Sequence, residues 1–152
     1  MLRITKVFLI GSAIMLFMIN LAVAHCEIPC GIYGDEMRIQ MILENITTIE
    51  KSMQQITSIE QEKPLNSNQL VRWVMNKEKH ADDLQEIVSQ YFLTQRINPE
   101  AENYQALLSN LHEMLVVSMK CKQTTDLTNV SKLRELVTEL EKLYFGKPHD
   151  HK

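Results

Sequence analysis

The chain has 152 residues, enough for one domain with a real core and too few for two of ordinary size. Hydrophobic residues make up 45% and charged residues 23%, with no low-complexity tract, which excludes a disordered chain and favours a globular one. The formal charge is −3, and it becomes more negative by two without Arg3 and Lys6, so no nucleic-acid partner is expected.

The first 24 residues have the order of a signal peptide. Arg3 and Lys6 form a short positive region, residues 7–21 are almost wholly apolar, and Ala22-Val23-Ala24 has the small-x-small pattern that signal peptidase reads. Cleavage between Ala24 and His25 would place the protein outside the cytoplasm, periplasmic or extracellular, with no stable membrane anchor. The alternative is a retained membrane helix, since residues 7–24 number 18, at the low end of a bilayer span. The domain plan is then a removed signal peptide (1–24), an N-terminal hook (25–34), a helical domain (35–146) and a polar tail (147–152).

Residues 35–145 contain no glycine, and their only prolines are Pro64 and Pro99, an all-helical signature. In the first segment Ile39, Ile42, Ile46, Ile49, Met53 and Ile56 recur at spacings of 3, 4, 3, 4 and 3, which lays one apolar seam on a helix ending before Glu62-Lys63-Pro64. A second helix is expected from about Asn66 to Asn68 as far as about Phe92. Its stripe is Leu70, Val74, Lys77, Ala81, Leu84, Val88 and Tyr91, widened by Trp73 and Ile87, and Lys77 interrupts it with a charge. Such a lysine either forms a polar layer or lies at the stripe's edge and snorkels to water.

Asn98-Pro99-Glu100 carries the signals of a helix start: a capping residue, a proline at the first helical position and acid in the first turn. Tyr104, Leu107, Leu108, Leu111, Met114 and Leu115 supply the third apolar face, before the polar Gln123-Thr124-Thr125-Asp126 turn. A fourth helix with Leu133, Leu136, Val137, Leu140 and Leu143 should stop at Gly146 and Pro148. Four helices with short connections predict an all-α, antiparallel up-and-down four-helix bundle. The nine methionines are assigned to core gap-filling.

Chemistry is concentrated in His25-Cys26-Glu27-Ile28-Pro29-Cys30. In an exported protein these cysteines could form a disulfide, leaving Cys121 as an odd thiol. A chain that begins His-Cys offers four further donors: the terminal amine, the His25 imidazole, the Cys26 amide nitrogen and the Cys26 thiolate. Amine, amide and thiolate close successive five-membered chelate rings, and Cys30 can return as a fourth in-plane donor. Two nitrogens and two sulfurs in a plane suit nickel(II) or copper(II), whereas zinc prefers a tetrahedron. The terminal amine titrates near 7.7–8.0, roughly, so a metal displaces its proton close to neutral pH. Pro29 stiffens the turn between the thiolates, and strongly donating ligands favour one-electron redox chemistry.

The segment His25-Cys26-Glu27-Ile28-Pro29-Cys30-Gly31-Ile32-Tyr33 resembles the nickel-hook motif H-C-x-x-P-C-G-x-Y of nickel superoxide dismutases. The resemblance extends over the mature chain, because that family has an N-terminal hook ahead of a four-helix bundle. It implies one nickel ion per subunit, held by His25, Cys26 and Cys30, with the imidazole axial in nickel(III) and released in nickel(II). It implies that nickel(III) oxidises one superoxide to dioxygen and nickel(II) reduces the next to hydrogen peroxide. By the same likeness Tyr33 orders substrate through water, Tyr91 in Ser89-Gln90-Tyr91-Phe92 stands for a second tyrosine, and the subunits form a homohexamer. Tyr91 also fits a plain core aromatic. In the family an aspartate-proline often follows the first tyrosine, and a glutamate that bonds the imidazole follows an arginine. Here Gly34-Asp35 follows Tyr33 and Arg38-Ile39 leads to Gln40, so Gln40 or Glu44 becomes the candidate partner of His25.

Two other classes compete: an exported helical binding protein with a disulfide, and a thiol-disulfide oxidoreductase. The three-residue spacing and the missing strand pattern argue against the second. His149-Asp150-His151 reads as a polar end. Asn45-Ile46-Thr47 and Asn129-Val130-Ser131 match the glycosylation pattern but fall in predicted helices.

Overall fold

The computed structural model of the chain describes residues 33–146. Helix α1, Asp35–Ile59, forms on the apolar seam. Ile39, Ile42, Ile46, Ile49 and Met53 are wholly buried and Ile56 nearly so, so the 3.6-residue period decides which face turns inward. Asp35 and Glu36 lie in the first turn, where the helix dipole favours negative charge.

Helix α2, Ser67–Glu86, starts where Asn66 accepts the Gln69 N–H at 3.3 Å. It continues without a break as a π-helical segment, Ile87–Arg96, four residues beyond the expected end at Phe92. Its buried stripe begins later than predicted. Leu70 and Trp73 are half-buried and Val74 is 38% exposed. Lys77 explains why: its Nζ reaches the Cys121, Lys122 and Thr124 carbonyls, so the turns of α2 before Lys77 run past the end of the helix they would otherwise pack on.

Helix α3, Tyr104–Gln123, begins six residues after Asn98. The start signal is made, since Asn98 Oδ1 accepts the Glu100 N–H at 3.0 Å, but it closes turns rather than a helix. Ala101 N–H bonds to the Asn98 carbonyl and Tyr104 N–H to the Ala101 carbonyl, each three residues back. Asn103 then docks the start of α3 by donating to the Leu143 carbonyl at 2.7 Å. Leu107, Leu111 and Met114 are buried as expected, whereas Leu108 lies on the exposed side and Val117 and Cys121 complete the inner face.

Helix α4, Thr128–Phe145, buries Leu133, Leu136, Val137 and Leu140 and stops at Gly146. Gly146 adopts a left-handed φ of 78° and donates its N–H to the Lys142 carbonyl at 3.0 Å, a C-cap that a side chain would strain. Each helix packs on its neighbour in sequence, and α4 closes back on α1. The result is the antiparallel up-and-down four-helix bundle, with a single core cluster. Among the described residues there is no strand, and no helix is long and apolar enough to cross a membrane.

The methionines divide. Met53 and Met114 fill the core, but Met37, Met41, Met75 and Met119 face outward, against the assignment of methionine to gap-filling. Asn45 of the first glycosylation-like triplet is buried, with its side-chain oxygen 2.7 Å from His80 Nδ1.

Candidate metal centre

His25, Cys26 and Cys30, together with the expected cleavage site, lie outside the described residues. Tyr33 is the first residue described; it is 42% exposed and precedes α1. Gln40 and Glu44 stand four residues apart on the exposed face of α1, with Ile39, Ile42 and Ile46 on the buried one. Tyr91 is buried on the π-helical segment. Among the described residues no group of three or more His, Cys, Asp or Glu is placed to hold a metal.

What the bundle does build at the start of α1 is a four-sided clamp on Asp35. Arg96 donates to both carboxylate oxygens, Nε to Oδ1 at 2.9 Å and an η nitrogen to Oδ2 at 2.7 Å. Tyr91 donates its hydroxyl to Oδ1, and Tyr144 of α4 donates to Oδ2 at 2.9 Å. A bidentate arginine on a partly buried carboxylate is the strong form of this pairing. Burial alone would raise the Asp35 carboxyl, but the hydrogen bonds from Arg96, Tyr91 and Tyr144 outweigh it and hold the group below its ordinary 3.8. Burial first, and then the Asp35 carboxylate, push both tyrosine hydroxyls up to about 12.

The Gly34 backbone amide acts on the Tyr91 hydroxyl in the opposite sense, lowering it, but is outweighed by burial and by Asp35. The Arg38 guanidinium lies 4.9 Å from the centre of the Tyr91 ring, and Phe92 packs edge-on to both Tyr91 and Tyr144 at 5.2 and 5.7 Å. In this arrangement Tyr91 serves the junction before α1.

The π-helical register makes the clamp possible. In an α-helix, residues five apart are separated by roughly 500°, leaving Arg96 about 140° around from Tyr91. A π-helix bonds each residue to the fifth along and so brings such a pair to one side. The side chains repeat this spacing, with Thr94 donating to the Ser89 carbonyl at 2.7 Å and Gln95 to the Gln90 carbonyl at 2.9 Å.

Asp35, Arg96 and Tyr144 did not stand out in the sequence, where they are 61 and 48 residues apart. The only local signal was an acidic first turn and an arginine ending the second helix. Lys77 resolves its two alternatives differently from either. It is 4% exposed, and its ammonium caps the carbonyls that end α3. Cys121 is a buried free thiol pushed up to about 11 by burial, which suits a core residue and not a nucleophile.

By residue type, the imidazole and the two thiols of residues 25–30 are donors that would suit nickel and could supply its one-electron chemistry. The family model described as nickel-containing superoxide dismutase matches residues 20–147, which takes in both the hook and the bundle. No curated protein and no solved structure matches the chain. Because the family match covers well over half of the chain, the protein belongs to the nickel-containing superoxide dismutases, enzymes that dismutate superoxide with nickel as cofactor.

Proposed function

We propose that His25, Cys26 and Cys30 are the nickel ligands, and that the site is completed by cleavage between Ala24 and His25. The observation that carries this reading is the hook motif of residues 25–33 inside the family match. His25 would give its terminal amine and imidazole, Cys26 its amide nitrogen and thiolate, and Cys30 its thiolate. Nickel supplies the one-electron chemistry, alternating between its +3 and +2 states. The chain's own tasks are to keep both thiolates as ligands, to hold the imidazole by a partner such as Gln40 or Glu44, and to admit a small anion. Tyr33, exposed and three residues after Cys30, is suited to hold a water or a substrate oxygen through its hydroxyl.

Export follows from the same reading, with signal peptidase as the maturation partner and the periplasm or exterior as the destination. Homohexamer assembly is also part of it; outward-facing Met37, Met41, Val71 and Met75 offer apolar surface for contacts between copies. Light scattering that finds a fully active monomer would contradict the hexamer.

The test of the ligand set is metal analysis with activity. The processed protein should hold about one nickel per chain, and Cys26→Ser or Cys30→Ser should remove both metal and dismutation, as loss of a ligand does. A variant that keeps one extra residue before His25 is sharper, since it retains every side chain and displaces only the amine. Activity surviving all three changes would overturn the assignment, and a mature N-terminus at Met1 would overturn the processing.

A further inference from the structure

The junction between hook and bundle is more heavily built than a helix start requires. Asp35 begins α1 only five positions after Cys30, and its carboxylate accepts from side chains on the π-helical segment and on α4. The Gly34 backbone amide, one residue before Asp35, also acts on the Tyr91 hydroxyl. Arg96 and Tyr144 meet on the same carboxylate oxygen, Oδ2, so the donors converge on the anion from two elements. An ordinary N-cap needs one side-chain oxygen bonded to its own helix; here Gly34 makes no side-chain cap, and the carboxylate faces other elements instead.

We propose that the clamp formed by Asp35, Arg96, Tyr91 and Tyr144 is a positioning device for the nickel-binding segment. It fixes the peptide at which the short tether carrying Cys30 and Tyr33 joins the rigid bundle. This rests on the assignment of His25, Cys26 and Cys30 as ligands. The physical argument is one of leverage. In this tether Cys30 is separated from Asp35 by only four residues. Freedom at its anchored end therefore passes directly to the thiolate and to Tyr33. A carboxylate held by three side chains removes that freedom. The donors come from two other elements, so the anchor is set by the tertiary fold and not by α1 alone. Asp35 and Tyr91 are thus positioning residues, acting on the metal only through the chain they hold.

The experiment compares nickel-loaded, exported protein with its Asp35→Asn and Tyr91→Phe variants, using Glu50→Gln, fifteen residues farther along α1, as a control. Three quantities are read: the rate of nickel release to a chelator, the paramagnetic resonance line shape of the oxidised protein, and amide exchange at Gly34 in metal-free protein. The proposal expects release about 10-fold faster in both clamp variants, broadened resonance lines, and loss of Gly34 protection in Tyr91→Phe. The control should match the wild type. If Asp35→Asn fails to fold, Arg96→Lys and Tyr144→Phe weaken single contacts while keeping the carboxylate, and both should still speed release. Faster Gly34 exchange with unchanged release and line shape would overturn the proposal and leave a helix staple only. Wild-type protein without nickel would remove the ligand assignment and this inference with it, a result that the nickel content reads separately from the exchange.

Discussion

A buried cation and a partly buried anion hold the two ends of this bundle, and they do so in opposite ways. Lys77 is a cation satisfied by backbone: it donates to the carbonyls of Cys121, Lys122 and Thr124, where the α3 dipole is negative, with Glu78 only at 3.7 Å. Asp35 is an anion satisfied by side chains, which come from the π-helical segment and from α4. A backbone partner is always present, so the Lys77 site depends on one residue. The Asp35 site depends on four, and each can be altered singly. The first arrangement suits a fixed structural cap, and the second suits a junction whose geometry has to be set closely.

The largest effect that separates them is on stability. Lys77→Ala removes the donor for three carbonyls and leaves a void along α2, so it should cost about 3 kcal/mol in urea denaturation. Lys77→Met, which restores the stem without the charge, should recover only part of this. Neither should alter nickel release from protein that remains folded. A change in release at constant stability would break the comparison, because it would give the far cap a role at the metal end.

Asp35→Asn should cost less, about 2 kcal/mol, since the amide can still accept and the site is 16% exposed. Its acid dependence gives the sign. The carboxyl is depressed below 3.8 in the folded protein, so its contribution is complete above that value and is lost as pH falls through the folded value. Acid denaturation curves of wild type and Asp35→Asn should therefore converge below pH 3.8. Curves that stay parallel would mean that the carboxylate charge contributes nothing.

How far these sites were legible in the sequence follows from their range. The seam of α1 and the stop at Gly146 were read directly, because both depend on residues within one or two turns. The hook motif was recognisable for the same reason: its defining residues lie together within positions 25–33, inside the family match. The clamp was not readable. Tyr91 and Arg96 share a side only in a π-helix, and a 3.6-residue period assigns them to different faces. The start of α3 was misplaced because a capping signal at Asn98 states that a turn begins, while its continuation depends on the docking of Asn103 on Leu143. The first turns of α2 looked buried because apolar spacing carries no information on where the neighbouring helix ends.

A third measurement sharpens the picture of the clamp from its alkaline side. Tyr91 and Tyr144 titrate near 12 in the folded protein against an ordinary 10.0, so the stability they contribute is complete below pH 10 and is lost as pH rises towards 12. Phenolate absorbance should show two of the four tyrosines titrating late. In Asp35→Asn their midpoint should fall but stay above 10, because burial is the first cause of the rise and the carboxylate the second. An unchanged midpoint would mean that the carboxylate does not reach the hydroxyls in solution.

The smallest effect is the most direct control on what makes the clamp strong. Arg134 and Glu50 also join an arginine to a carboxylate of α1, with an N–O distance of 2.7 Å, the same as the shorter Arg96–Asp35 contact. The distance is equal but the setting differs. Arg134 and Glu50 are 41% and 35% exposed, and the arginine divides its η nitrogen between Glu50 and the Thr47 hydroxyl, whereas Arg96 meets Asp35 with two nitrogens and is 26% exposed. Water and salt screen the first pair, and its long side chains lose rotamer freedom when they meet, so Glu50→Gln should cost about 0.5 kcal/mol or less. That loss should vanish in high salt, while most of the Asp35→Asn loss should persist. If the two substitutions proved equally costly and equally sensitive to salt, then distance alone would govern these contacts, and the tyrosines around Asp35 would add nothing to its hold on the start of α1.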